Sequence, residues 1–256
     1  MNKEKKHATD SDDSNISTRK VVVWDLPVRV FHWALVLLFA FSFYSGKTGG
    51  FELMDYHMLS GYAVLTLIIF RICWGFIGSQ NALFRSFVHS PANVFKYLRS
   101  LVEGQNPKTF GHNPAGGLSV IVMLLLLLGQ GLTGLFTNDD IMLEGPLTHL
   151  VSYEQSRSLT GIHENISWLL VGFVSLHLVA ILFYKFVKKE KLVKAMITGS
   201  IEVEGQVEGS KIEEEKETLR APSEVTQTKM PGNFWFRGIV LLSLCSGFVY
   251  SIIKFL

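Results

Sequence analysis

The sequence predicts an all-α integral membrane protein with five transmembrane helices. Of its 256 residues, 48% are hydrophobic and only 18% are charged, whereas soluble domains carry about 25% charged residues. The apolar residues are concentrated in five long runs, and roughly 20 apolar residues in a helix cross the hydrocarbon core of a bilayer. Backbone polar groups find no water there, so each run is expected to be helical. A net charge of +2 gives no reason to expect a nucleic acid as partner.

The predicted spans cover residues 30–46, 57–77, 117–136, 162–187 and 234–256. They divide the chain into four parts: a disordered cytoplasmic tail (1–20), a four-span domain (21–199), a flexible cytoplasmic linker (200–230) and an additional C-terminal transmembrane helix (231–256). The linker prediction rests on a composition rich in Glu, Lys, Gly, Ser and Thr, which cannot bury enough apolar surface to become ordered. Helical spacing of apolar residues after Ser90 and Pro91 predicts a short helix on the membrane surface.

The distribution of Lys and Arg predicts which ends of the spans face the cytoplasm. Six basic residues precede the first span, four lie between the second and third, and five follow the fourth. The two other loops of the four-span domain contain only Lys47 and Arg157, beside several acidic residues. Because cytoplasmic loops carry the excess of Lys and Arg, the N-terminus is expected in the cytoplasm of a bacterial inner membrane.

Four histidines lie in or at the edge of the predicted spans: His32, His57, His163 and His177. Ionisable side chains within a membrane are costly and usually functional. His163 and His177 are 14 residues apart, which is about 21 Å along a helix and close to a whole number of turns. The predicted topology then pairs His32 with His177 at the cytoplasmic side and His57 with His163 at the external side.

Two such histidine pairs predict two haems held between the helices. A haem iron takes two axial ligands, and helix bundles commonly house such cofactors. Zinc and copper sites usually need three or four ligands at one place. The two cysteines, Cys73 and Cys245, form no Cys-x-x-Cys-His motif, so the haems are expected to be non-covalent haem b. The prediction therefore assigns His32, His57, His163 and His177 as iron ligands.

Two arginines lie near the predicted depth of the cytoplasmic haem. Arg71 follows His57 by 14 residues, and Arg29 precedes His32 by one turn. Each could pair with a haem propionate or extend to the membrane surface. The remaining histidines, His7, His89, His112 and His149, fall in the tail or loops and are expected to be exposed. Of these, His112 is the one that could also contact a propionate or a quinone headgroup.

Six stretches of the chain resemble the prokaryotic cytochrome b561 family, which includes the b-type cytochrome subunit of nickel–iron hydrogenases. They are residues 23–33, 57–62, 70–75, 111–117, 131–136 and 192–199. The resemblance implies a four-helix haem bundle with axial histidines on spans one, two and four. It also implies electron exchange between a quinone pool and a partner redox protein, such as a cytochrome c or a hydrogenase-like subunit. The linker and fifth span depart from the family's four-span pattern.

The expected function is therefore transmembrane electron transfer by a di-haem b-type cytochrome, either alone or as a subunit of a respiratory oxidoreductase. One alternative is a quinone-coupled oxidoreductase that acts directly on a small molecule such as superoxide. A second is a transporter that uses its intramembrane histidines, which would place substrate-binding polar groups at broken helices. Spans one to four contain no such polar cluster.

Overall fold

Five long helices dominate the computed structural model, which describes residues 16–105, 111–141, 143–206 and 234–255. They are α1 (Leu26–Thr48), α2 (Phe51–Ile77), α5 (Pro114–Gly134), α6 (Tyr153–Phe186) and α8 (Phe234–Phe255). All five are long and apolar enough to cross a membrane. The prediction of a helical membrane protein with a four-helix bundle and a fifth C-terminal helix is confirmed.

The shorter elements lie between or beside these helices. Strand β1 (Ile16–Val22) precedes α1, and α3 (Phe84–Phe87) and α4 (Pro91–Val102) connect α2 to α5. Helix α7 (Leu192–Thr198) and strand β2 (Ser200–Gln206) follow α6. Single 3-10 turns occur at Gln80–Ala82 and Thr148–Leu150.

Capping residues mark where the long helices begin, and four of the five helices begin earlier than the hydropathy predicts. Helix α1 begins after Asp25, whose side chain accepts a hydrogen bond from the Val28 amide at 2.7 Å. Helix α6 begins nine residues before the predicted span, because Ser152 and Gln155 form a reciprocal capping box. Helix α2 begins after Gly50. His57 and His163 therefore lie one to three turns inside their helices rather than at the ends.

The helices pack in an order that places α2 at the centre of the bundle. Helix α1 packs against α2, α2 against α5, and α5 against α6. Helix α8 packs against α2 and the start of α1. A Cβ atom on Gly238 of α8 would lie 3.0 Å from the Pro27 ring, so the absence of a side chain allows this close approach. The fifth helix is thus part of the bundle that carries His32 and His57.

The surface helix predicted after Ser90 and Pro91 is present as α4. Ser90 caps its N-terminus, and Gly104 follows its end with a φ of +78°. Its apolar residues Phe95 and Val102 are 70% and 89% exposed, as expected for a helix whose apolar face lies in the lipid interface.

A two-stranded antiparallel ribbon corrects two of the predicted boundaries. Strand β1 pairs with β2 from Ile16 opposite Gln206 to Val22 opposite Ser200. The end of the predicted disordered tail and the start of the predicted flexible linker are therefore ordered, because each supplies the backbone partners that the other lacks. The rest of the tail, and residues 207–230 of the linker, lie outside the described residues. The Val23 and Trp24 amides continue the contact by donating to the Gly199 carbonyl.

Candidate haem-binding site

The structure places the ring of His57, on α2, next to the ring of His163, on α6. Their ring centroids are 6.1 Å apart, and the ring planes are nearly perpendicular at 84°. A metal–imidazole nitrogen bond is about 2 Å long, so two imidazoles on opposite sides of one ion have ring centres roughly 6 Å apart. The spacing of this pair matches that of two axial ligands to a single iron.

Backbone hydrogen bonds fix the orientation of both rings. The Nδ1 atom of His57 donates to the Ser42 carbonyl of α1 at 2.8 Å, and Nδ1 of His163 donates to the Gln130 carbonyl of α5 at 3.0 Å. A carbonyl can only accept, so the proton of each neutral ring is on Nδ1 and the lone pair is on Nε2. Histidines that ligate a metal are held in this way by their second nitrogen.

Two glycines provide the space that these rings occupy. A Cβ atom on Gly46 would lie 2.8 Å from Cε1 of His57, and one on Gly134 would lie 3.0 Å from Cε1 of His163. Cβ atoms almost never approach other atoms this closely, so a larger residue would push either ring out of place. These contacts, the ring spacing and the lone pairs on the two Nε2 atoms together fit a haem with two histidine ligands. Among the described residues, no group of three or more His, Cys, Asp or Glu side chains could hold another metal.

His32 of α1 and His177 of α6 lie together at a second level of the bundle. They are close enough for the charge on one ring to affect the other. The Nδ1 atom of His32 is buried without a hydrogen-bond partner, and its ring packs edge-on against Trp33 with centroids 5.1 Å apart. His57 thus lies next to His163, and His32 lies within electrostatic reach of His177, while the role of the four residues as iron ligands stays a prediction.

Both predicted arginines lie at the level of His32 and His177. Arg71 does not extend to the surface: it is 3% exposed, its guanidinium lies over the rings of Phe84 and Phe87, and Nη1 has no partner. Arg29 donates to the Thr198 carbonyl at 3.3 Å, and its buried Nε also lacks a partner. Unpaired buried guanidinium nitrogens are costly, and a haem carboxylate is a strong acceptor for them.

The prediction that His112 is exposed is wrong. Its ring lies between Trp24 and Phe87, with both centroid distances 4.6 Å, and its Nδ1 is buried without a partner. Burial lowers the pKa of His112 to about 3, and the neighbouring Arg71 and His177 act in the same direction. The ring comes inward because the start of α5 packs against the segment around Phe87. His89 and His149 are exposed as expected, and His7 lies outside the described residues.

The sequence analysis does not identify Asp25, although this residue helps to position the level of His32 and His177. Its carboxylate caps α1 and also accepts hydrogen bonds from Nε1 of Trp74, at 3.0 Å, and from the Ser79 hydroxyl. It therefore ties the start of α1 to the end of α2, within electrostatic reach of Arg71. The missed signal is its place directly before Leu26 and Pro27, which is typical of a helix N-cap.

Gln130 is a second residue that the sequence reasoning missed. Its Nε2 lies 3.0 Å from Nε2 of His163, and its Oε1 is buried without a partner. An amide that follows nine apolar residues in a transmembrane helix is an available sequence signal.

Comparison with known proteins gives one family over most of the four-span domain. The family model described as prokaryotic cytochrome b561 matches residues 23–199, which is more than half of the chain. The match ends before the linker and the fifth helix. No solved structure gives a significant match.

Curated relatives extend the similarity at low identity. The chain is 22% identical to a probable Ni/Fe-hydrogenase B-type cytochrome subunit of Rhizobium leguminosarum bv. viciae, over 72% of this chain and 90% of that protein. It is 24% identical to a protein of the same description from Rhodobacter capsulatus, over 75% of this chain and 86% of that one. A third such relative, from Bradyrhizobium diazoefficiens, is 20% identical over 74% of this chain and 89% of that protein.

Proposed function

The chain belongs to the prokaryotic cytochrome b561 family, and from this membership and the positions of its histidines we propose that it is a di-haem membrane cytochrome. It binds two non-covalent haem b groups, one between His57 and His163 and one between His32 and His177. The haem domain covers residues 21–199, and the fifth helix packs against its side. Electrons pass across the membrane between the quinone pool and a partner redox protein.

The geometry of His57 and His163 is the observation that carries this proposal. Two neutral imidazoles lie next to each other with ring centroids 6.1 Å apart, each with Nδ1 donating to a backbone carbonyl and the lone pair on Nε2. In a transporter that uses single histidines, nothing requires this matched pair of orientations. A second pair on α1 and α6, 14 residues or about 21 Å further along α6, supports a two-haem arrangement.

The residues of the chain have distinct roles in this mechanism. Haem b, when bound, supplies one-electron redox chemistry at its iron. The histidines hold each group through Nε2, and the Ser42 and Gln130 carbonyls fix two of the rings. Arg71 and Arg29 offer unpaired buried donors to carboxylates of the haem at His32 and His177. The apolar helices would exclude water from both sites.

The orientation and the partner are also part of the proposal. The excess of Lys and Arg at one end supports an N-terminus in the cytoplasm of a bacterial inner membrane. His32 and His177 then lie toward the cytoplasm, and His57 and His163 lie toward the outside. Since all three relatives named above are described as cytochrome subunits of Ni/Fe-hydrogenases, we propose a hydrogenase-type partner rather than a soluble cytochrome c. Co-purification with a hydrogenase from the native host tests this choice.

The main test is the haem content and redox activity of the purified full-length protein. We expect two haem b groups per chain, extractable with acidic organic solvent and reducible by a quinol in detergent. One haem per chain would contradict the pairing scheme, and a colourless, folded protein would favour the transporter. Turnover of superoxide coupled to the quinone by the purified protein, without any partner protein, would favour the quinone-coupled small-molecule oxidoreductase instead.

A spectroscopic signature is expected for a haem bound between His57 and His163. The planes of His57 and His163 are at 84°, and perpendicular axial imidazoles leave two iron d orbitals nearly equal in energy. We therefore expect a strongly anisotropic low-spin ferric signal in the electron paramagnetic resonance spectrum. His163→Ala should remove that signal and leave the spectrum of the other haem.

A further inference from the structure

Gln130 is a polar side chain within an apolar stretch of α5. Residues 120–128, which precede it, are all apolar, and glycines stand on both sides of it at 129 and 131. A polar side chain inside a membrane helix is costly unless it has a hydrogen-bond partner. The surroundings of Gln130 therefore indicate what its amide binds.

Gln130 contacts both nitrogens of the His163 ring. Its backbone carbonyl accepts the hydrogen bond from Nδ1 at 3.0 Å, and its side-chain Nε2 lies 3.0 Å from Nε2 of the ring. Because Nδ1 carries the ring proton, the amide nitrogen donates toward the lone pair of Nε2. The other end of the amide, Oε1, is buried and has no partner. The amide thus lies beside the ring nitrogen that we assign to iron.

An iron bound to Nε2 uses the lone pair toward which this amide points. The amide N–H then needs another acceptor, since a buried donor left unpaired costs more than an ordinary hydrogen bond returns. The Thr133 hydroxyl, which donates to the Gly129 carbonyl at 2.8 Å, lies 3.3 Å from Nδ1 of His163, the ring nitrogen that the iron does not use. The polar acceptors that a haem brings into such a site are its carboxylates.

We propose that Gln130 is a positioning residue for the haem bound by His57 and His163, and that its side-chain amide donates to a carboxylate of this haem. The proposal rests on the di-haem function proposed above. A donor at the carboxylate offsets part of the negative charge that otherwise favours ferric iron. Gln130 therefore raises the reduction potential of this haem and leaves the other haem unaffected.

The test is a potentiometric titration of full-length Gln130→Leu, followed by the haem absorbance. We expect the ferric-to-ferrous ratio of one haem to rise at a fixed ambient potential, by at most about tenfold, because only the difference in the strength of one hydrogen bond between the two oxidation states contributes. Titration of His163→Ala, which keeps only the other haem, identifies which transition has moved. Thr66→Val is the matched control, because the Thr66 hydroxyl donates to the Tyr62 carbonyl of its own helix at 2.9 Å.

Each outcome decides the proposal. Unchanged potentials in Gln130→Leu overturn it, as does a shift confined to the haem at His32 and His177, or an equal shift in Thr66→Val. If Gln130→Leu loses the haem at His57 and His163, the titration is made on Gln130→Asn instead, which keeps a side-chain amide on a shorter side chain. Retention of that haem at a lowered potential then supports the proposal, and its retention at the wild-type potential overturns it. A wild-type protein without two haems contradicts the proposed function itself, whatever the variants show.

Discussion

The two histidine levels of the bundle are held in different ways. At His57 and His163, each Nδ1 donates to a backbone carbonyl, and a glycine lies against each ring. At the other level, Nδ1 of His32 has no partner, and buried nitrogens of Arg29, Arg71 and His112 are also unpaired. One level is organised by the backbone of α1 and α5, and the other by charged and aromatic side chains.

This difference suggests how each haem is controlled. Backbone carbonyls and glycines cannot change rotamer, so the level of His57 and His163 should have a fixed geometry and respond mainly to changes of shape. The other level depends on residues from α1, α2 and the segment before α5. It should respond to changes of charge, because unscreened charges act strongly in a low-dielectric interior.

Removal of a ligand should have the largest effect at either level. His57→Ala and His163→Ala should each lose the same haem, and His32→Ala and His177→Ala should each lose the other, which halves the haem content per chain. A double change within one pair should match either single change, because ligands to one iron act as a unit. Haem quantification and absorbance spectra of the purified variants check this. If His32→Ala and His57→Ala disturbed one common haem, the pairing would be wrong.

Filling the space at a glycine should break only the level of His57 and His163. In Gly46→Ala or Gly134→Ala, the new Cβ would lie 2.8 or 3.0 Å from a histidine ring carbon. Since the ring must shift away from its carbonyl acceptor, we expect partial or complete loss of this haem, with the other retained. Gly61→Ala is the matched control, because a Cβ there meets nothing within 4 Å. Equal haem loss in Gly61→Ala would show a general effect of helix substitution.

The sequence predicts the helices well and also gives the spacing of His163 and His177, because both depend on patterns along one element. Hydropathy locates spans, and a separation of 14 residues places His163 and His177 on one face of α6. The contacts of His112 and Gln130 depend instead on which helices become neighbours, and no periodicity records that. The β1–β2 ribbon is equally hidden, because residues 16–22 and 200–206 pair with each other although they lie far apart along the chain.

The missed helix starts have a different cause. The capping box of Ser152 and Gln155 and the N-cap Asp25 are both visible in the sequence. Hydropathy nevertheless places the ends of a span where polar residues begin, although α6 continues beyond the apolar run. The polar first turns of α6 are stabilised by their cap rather than by burial. Local capping signals should therefore take priority over hydropathy at the ends of membrane helices.

A change of charge should act on the level of His32 and His177. A buried cation stabilises ferrous over ferric haem, and Arg71→Gln removes this cation. The reduction potential of the haem at His32 and His177 should therefore fall by roughly 60 mV, a tenfold change in the ferric-to-ferrous ratio. Potentiometric titration measures this shift, and both haems should remain bound. Arg85→Gln is the control, since Arg85 lies beside Phe84 but is exposed. Equal shifts in the two variants would mean that surface charge, not the buried guanidinium, sets the potential.

The smallest expected effect concerns pH and the buried His112. Its pKa is lowered to about 3, chiefly by burial, whereas an unfolded histidine has a pKa of about 6.5. Above pH 6.5 the ring is neutral in both states. As the pH falls from there toward 3, the unfolded chain binds a proton that the folded chain does not, so stability is lost by at most about 1.4 kcal/mol per pH unit.

His112→Phe keeps a ring between Trp24 and Phe87 but removes this titration. Its melting temperature should therefore fall less than that of the wild type between pH 7.5 and pH 5, whereas the exposed His149→Gln should follow the wild type. Parallel curves for all three proteins would show that His112 is not held neutral by the fold.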